Sequence, residues 1–133
     1  MAQMQTISVN VAPAGYEVLV QRGMLPRAGE LVRNLSKSSK ICVVTDTNVA
    51  PQHLEPLKRS LSEAGFEVLT CVVPAGEQYK TLDTISAIYE AFLPAGLDRR
   101  TPLLALGGGV VGDMTGFAAA TILRGVPFIQ FPT

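Results

Sequence analysis

Neither sign of charge predominates in this 133-residue chain: eleven Lys and Arg balance eleven Asp and Glu. A dedicated nucleic-acid binder carries a basic excess or stripe, so no nucleic-acid partner is expected. Histidine is almost missing. The single one, His53, falls on a mid-chain helical pattern with no carboxylate or thiol cluster beside it, too few ligands for a zinc site within this chain. Cysteine is scarce as well. Cys42 and Cys71 each sit inside an apolar segment and read as structural thiols, with a disulfide or metal pair as the lesser alternative. Long hydrophobic runs are also lacking; the stretch from Phe117 to Leu123 is far too short to span a bilayer. The N-terminal Met1-Ala2-Gln3-Met4-Gln5 lacks the basic start and apolar run of a signal peptide. A cytoplasmic location with no membrane partner is the expectation.

What is present is enough apolar material, 47% of the residues, to bury the core of one domain. Thr6 to Val11 and Tyr16 to Gln21 alternate apolar and polar side chains around a Pro13-Ala14-Gly15 turn, which predicts an antiparallel hairpin at the sheet edge. Leu25 to Leu35 has helical spacing, with Pro26 near its start. Ile41 to Val44 is a short, wholly apolar run of the kind found in parallel strands buried on both faces. Asn48 can cap the next helix, which carries Pro51 in its first turns and stops at Ala64-Gly65. Val68 to Val73 is the following strand, and Thr81 or Asp83 opens a helix that runs through Ala95-Gly96 with Ile85, Ile88, Tyr89 and Phe92 on one face. Leu103 to Leu106 is a third buried strand; a helix rich in small residues then reaches about Leu123, and Phe128 to Phe131 forms a last strand. Strand and helix alternate from Ile41 onward, which predicts an α/β, Rossmann-like, mostly parallel sheet flanked by helices in one domain, residues 1–133. The sequence stops at Pro132-Thr133 directly after a predicted strand, and a fragment of a longer two-domain polypeptide is expected.

Three loops at strand ends carry the candidate chemistry. Gly107, Gly109 and Gly112 have the spacing G-x-G-x-x-G between a predicted strand and a predicted helix, the context that lets backbone approach a pyrophosphate and aim helical N–H groups at it. The alternative is a tight turn that needs glycine only for packing. The loop also follows the third parallel strand, whereas a plain dehydrogenase fingerprint follows the first. Asp46, in Thr45-Asp46-Thr47-Asn48, is placed to accept ribose hydroxyls, or else it or Asn48 caps a helix. Pro74-Ala75-Gly76-Glu77-Gln78-Tyr79-Lys80 packs a glycine turn, a carboxylate and an amine into one strand end. Arg124-Gly125 reads locally as a cation and glycine at a helix C-terminus.

Taken in order, Asp46-Thr47-Asn48, Gly76 to Lys80, Gly107 to Asp113, and Arg124-Gly125 followed by Phe131-Pro132-Thr133 resemble 3-dehydroquinate synthase over essentially the whole chain. The stretch from Ala105 to Thr133 is the specific part. Ala75 departs from the Asp of many relatives, while Gly76 and Glu77 keep the pattern. The resemblance implies an N-terminal NAD-binding domain whose helical, metal-binding C-terminal partner is absent here, with the active site between the two. It implies that Asp46, Thr47 and Asn48 bind the adenosine ribose of NAD. Gly76, Glu77, Gln78, Tyr79 and Lys80 would contact the dinucleotide, Lys80 near its nicotinamide half. Gly108, Gly109 and Val110 would line the pyrophosphate, with Val111 and Gly112 as further cofactor-binding residues, Asp113 near the nicotinamide ribose and Thr133 another contact. Arg124 would bind substrate phosphate across a homodimer interface.

The implied reaction converts 3-deoxy-arabino-heptulosonate 7-phosphate to 3-dehydroquinate and phosphate in the shikimate pathway of aromatic amino-acid biosynthesis. NAD holds a hydride transiently, and zinc or cobalt polarises the alcohol being oxidised. The metal ligands, a Glu and two His, would lie beyond Thr133, so the chain alone is expected to be inactive. Rival readings are a related sugar-phosphate cyclase, a metal-dependent polyol dehydrogenase, and a non-catalytic nucleotide-binding module. A phosphate-binding Arg124 has no purpose in the polyol dehydrogenase.

Overall fold

A computed structural model of the chain describes residues 3–133; Met1 and Ala2 of the N-terminal reading lie outside them. The expected hairpin forms from β1 (Gln5–Val9) and β2 (Tyr16–Val20), antiparallel with Ile7 opposite Val18. Its placement needs correction. It is a separate two-stranded sheet and not an edge of the main one. Alternation along two short strands specifies their mutual register but says nothing about which sheet they join.

A short 3-10 turn, Leu25–Arg27, leads into α1 (Ala28–Leu35). The strand β3 (Lys40–Asp46) follows, then a π-helical turn over Ala50–Leu54 around Pro51, and α2 (Glu55–Glu63). After it come β4 (Glu67–Val73), α3 (Leu82–Phe92), β5 (Leu103–Gly107), α4 (Gly109–Thr121) and β6 (Phe128–Pro132). The four strands from β3 onward are parallel, in the spatial order β4-β3-β5-β6.

Burial on both faces explains the wholly apolar runs. Along β3, Ile41 and Val43 meet Ala28, Val32, Leu57 and Leu61 of α1 and α2, while Cys42 and Val44 meet Ile85, Ile88 and Phe92 of α3 and Met114 and Ala118 of α4. The result is three layers, helix over sheet over helix. Thr81 rather than Asp83 caps α3, its hydroxyl accepting the Thr84 N–H. Helix α1 approaches α2 so closely that a Cβ at Gly29 would collide with the Ser60 carbonyl; the Gly29 N–H donates to Ser60 Oγ at 2.8 Å.

Strand order fixes where a ligand can sit. The chain steps from β3 outward to β4, then crosses back over β3 to β5 and continues to β6. Right-handed crossovers therefore put α2 on one face and α3 and α4 on the other. Between β3 and β5 the connections leave in opposite directions, which opens a crevice at the carboxyl ends of those two strands. The glycine loop belongs to β5, one lip of that crevice. Its position after the third parallel strand is thus compatible with this order, since β5 borders the switch point just as β3 does.

Both thiols are free. Burial pushes Cys42 up to about 12 from an ordinary 9.0 and also raises Cys71. At pH 8 neither is substantially ionised, and thiolate is the reactive form. A colorimetric disulfide reagent should label Cys42 only after denaturant is added, with slow labelling of the partly exposed Cys71 before it. Prompt labelling of both thiols in the folded chain would contradict the buried position of Cys42.

Candidate dinucleotide site at the carboxyl ends of the strands

Helix α4 begins at Gly109 with Gly108 as its N-cap and no side chain bonding its first turn. The first turn of any helix leaves N–H groups without intrahelical acceptors. Here the N–H groups of Gly109, Val110 and Val111 have no partner among the described residues, and the first closed bond is from Gly112 N–H to Gly108 O at 3.0 Å. Three convergent donors at the positive end of a 13-residue helix make an anion cradle.

The glycines divide their work. A Cβ at Gly107 would press on the Val111 side chain, and one at Gly112 would reach Gln130 Oε1 at 3.2 Å, so packing accounts for both. Over Gly108 and Gly109 a Cβ would meet nothing within 4 Å, and neither has a positive φ. Nothing within the fold requires glycine there, and the backbone at both positions is open to approach. Gly112 spends its N–H inside the helix, and Val111 buries its side chain in the core, leaving only its backbone N–H for a ligand.

The other two loops are tied to this one. Asp46, at the end of β3, accepts the N–H groups of Asn48 and Val49 on Oδ1 at 2.9 and 2.8 Å. Asp46 therefore closes an Asx turn ahead of the helical turn, whose N-cap is Val49 without a side-chain bond, so neither Asp46 nor Asn48 caps it, and Oδ2 of Asp46 remains for a ribose hydroxyl. Thr47 bridges to the loop after β4: its N–H donates to Val73 O, and its Oγ1 accepts the Ala75 N–H at 3.1 Å. That loop turns through Gly76 into a 3-10 turn over Glu77–Tyr79. Lys80 at its end donates to Asp113 Oδ2 at 2.7 Å, with Glu77 Oε1 at 3.5 Å. The hydrogen bond to Asp113 holds the Lys80 amine above the usual lysine range, so it is a cation throughout neutral pH. Thr133 N–H donates to Gly107 O at 3.2 Å and completes the rim.

A groove of about 290 Å³ opens beside the Lys80–Asp113 pair, floored by Ile85 and Met114 and walled by Leu82 and Phe117. Leu82 is 73% exposed and Phe117 49%. The sequence reading missed this groove. An exposed leucine directly after the Thr81 cap was the available signal, invisible without knowing that α3 and α4 lie side by side.

Arg124 is not brought to this rim. It lies in the turn beyond the opposite end of α4, and the helical stretch from Asp113 to Thr121 alone spans about 12 Å at 1.5 Å per residue. No three or more His, Cys, Asp and Glu side chains are grouped to hold a metal among the described residues. Nor is any helix among them long and apolar enough to cross a membrane.

Residues 70–133 match the family model described as 3-dehydroquinate synthase N-terminal. A 3-dehydroquinate synthase of Latilactobacillus sakei subsp. sakei (strain 23K) is 45% identical over 130 residues, covering 98% of this chain and 37% of the relative. One from Rhizobium meliloti (strain 1021) is 43% identical over 127 residues, covering 96% and 34%. The chain thus spans about a third of the length of these curated relatives. Among solved structures, 2-deoxy-scyllo-inosose synthase complexed with carbaglucose-6-phosphate, NAD+ and Co2+ superposes with a TM-score of 0.86 at 25% identity, covering 97% of this chain and 35% of that one.

Proposed function

We propose that the chain belongs to the 3-dehydroquinate synthase family, whose N-terminal model matches residues 70–133, and that it is the NAD-binding domain of such an enzyme. The whole enzyme converts 3-deoxy-arabino-heptulosonate 7-phosphate to 3-dehydroquinate and phosphate. The observation that carries the reading is the cradle of Gly109, Val110 and Val111 N–H groups beneath open space at Gly108 and Gly109, set at the crevice between β3 and β5. Its donors and its clearance suit a pyrophosphate, which the solved cyclase's NAD+ also contains.

In this reading the pyrophosphate rests on the α4 N-terminus. Asp46 Oδ2 accepts an adenosine ribose hydroxyl while Oδ1 keeps the loop folded for Thr47 and Asn48. Gly76, Glu77, Gln78 and Tyr79 border the dinucleotide, and Thr133 closes the far rim. Lys80 and Asp113 flank the nicotinamide ribose as one ion-paired unit, so the Lys80 charge is screened by a carboxylate before a cationic nicotinamide arrives. When bound, NAD supplies a hydride acceptor; this chain's part is to orient it and keep it in place through successive steps. No group of side chains among the described residues fits a metal site, so a zinc or cobalt ion would need ligands from the part of the relatives' length that this chain does not span. Arg124 stands in the turn beyond the end of α4 that faces away from the glycine loop, a placement that favours a homodimer in which it reaches the partner's site. The cytoplasm is the proposed location.

The higher identity to 3-dehydroquinate synthases, near 45% against 25% for the cyclase of known structure, supports this reading over the related activities. Phosphate release from the heptulosonate phosphate by a protein of the relatives' full length, with NAD and a divalent metal, is the test. No release would overturn the assignment. The 133-residue chain alone should release no phosphate under the same conditions, and release above background would relocate catalysis into this domain.

A further inference from the structure

We propose that Tyr89, Thr121 and Leu123 form a positioning device that presents Arg124 to phosphate; the inference rests on the reading of Arg124 as a phosphate ligand. Helix α4 ends at Thr121, and the chain then turns through Leu123 at φ 49° and Arg124 at φ 64° before Gly125. Side chains of L residues rarely adopt the left-handed region, and these are the only two non-glycine residues in it among the described ones. Such outliers persist where surrounding structure over-determines them, and they cluster at functional sites.

The surrounding bonds do over-determine this turn. Gly125 N–H donates to Ile122 O and Val126 N–H to Ala119 O, both at 2.8 Å. Ile122 is buried, which anchors the turn from below. From the side, Thr121 ties the helix end to α3. Its hydroxyl proton is committed to Phe117 O at 2.8 Å, so in the short contact between Tyr89 and Thr121 the phenol is the donor. Arg124 itself is exposed and has no hydrogen bond or ion pair among the described residues. A helix-end arginine serving the dipole would bond the last carbonyls; this one bonds none.

A strained, cross-braced turn that ends in an unpaired guanidinium limits where the side chain can start. Restricting a ligand-binding group in advance lowers the ordering cost of binding. Loosening the brace should therefore weaken phosphate binding in ground state and transition state alike, which raises KM and leaves kcat. Tyr89→Phe removes the donor. Leu123→Gly frees the backbone, whereas Leu123→Asn introduces the L residue that best tolerates a left-handed conformation.

The test uses the protein at the relatives' full length, with inorganic phosphate as a competitive probe. Tyr89→Phe and Leu123→Gly should raise KM for the phosphorylated substrate and Ki for phosphate by about fivefold or more, with kcat within about twofold and NAD affinity unchanged. Leu123→Asn should keep both constants near those of the parent. Unchanged KM and Ki in the first two variants, alongside an impaired Arg124→Ala, would make the brace purely structural. An unimpaired Arg124→Ala would remove the reading of Arg124, and the device with it.

Discussion

Gly109→Val should weaken NAD binding by about a hundredfold or more in the full-length protein and leave its thermal stability intact. The fold has no objection to the side chain. Gly109 is the first residue of α4, its φ is not positive, and a Cβ there meets nothing within 4 Å. Valine is also a better helix residue than glycine, by a few tenths of a kcal/mol. The cost falls on the ligand. A branched side chain over the cradle holds the pyrophosphate away from the N–H groups of Gly109, Val110 and Val111. Hydrogen bonds to charged groups contribute about 1.5 to 3 kcal/mol each, so losing two exceeds about 2.8 kcal/mol, a hundredfold in affinity. Calorimetric titration with NAD beside a thermal melt separates the outcomes. Unchanged NAD affinity with a large drop in Tm would mean that the glycine serves packing.

Arg124→Ala should lower kcat/KM by well over tenfold while NAD affinity stays nearly constant. Arg–phosphate hydrogen bonds are charge-assisted and roughly twice as strong as neutral ones. A tenfold loss corresponds to about 1.4 kcal/mol of transition-state stabilisation, within reach of one such contact. A cation merely placed at a helix C-terminus contributes about 0.3 to 1 kcal/mol to stability and predicts near-normal kinetics. The structure weakens that alternative, since Arg124 has left-handed backbone geometry and bonds no terminal carbonyl. Steady-state kinetics at saturating NAD decide between them, and an efficiency within about threefold of the parent would leave Arg124 without a substrate role. Mixed dimers test the subunit arrangement. Arg124→Ala combined with a differently disabled subunit should recover part of the activity, and no recovery in verified heterodimers would assign Arg124 to its own subunit's site.

Asp46 and the glycine loop show where reading along the chain succeeds and where it stops. Asp46 and Asn48 were both readable as caps and both as ribose ligands. Only the folded turn shows that one carboxylate oxygen holds the loop and the other is free. The G-x-G-x-x-G spacing picked out a turn that does join a strand to a helix, yet its three glycines, and Gly108 between them, have different reasons to be there. Gly107 and Gly112 answer to Val111 and Gln130, side chains four and eighteen positions onward, whereas Gly108 and Gly109 answer to nothing in the fold. The Lys80–Asp113 pair likewise joins two loops whose residues were singled out separately.

The sequence by itself determined the alternation of strand and helix, the burial of Ile41 to Val44 and Leu103 to Leu106 on both faces, and the stops at Gly65 and Gly96. Each depends on residues close in the chain, through side-chain period and turn chemistry. Tertiary structure alone decided that the hairpin stands apart, that Gly29 lets α1 approach Ser60, and that β3 and β5 lie side by side. Those outcomes depend on crossover handedness and on burial shared between segments tens of residues apart, which no local pattern encodes. The crevice follows from them: its β3 lip carries Asp46, its β5 lip carries Gly108 and Gly109, and the two become neighbours only when α3 carries the chain back across β3.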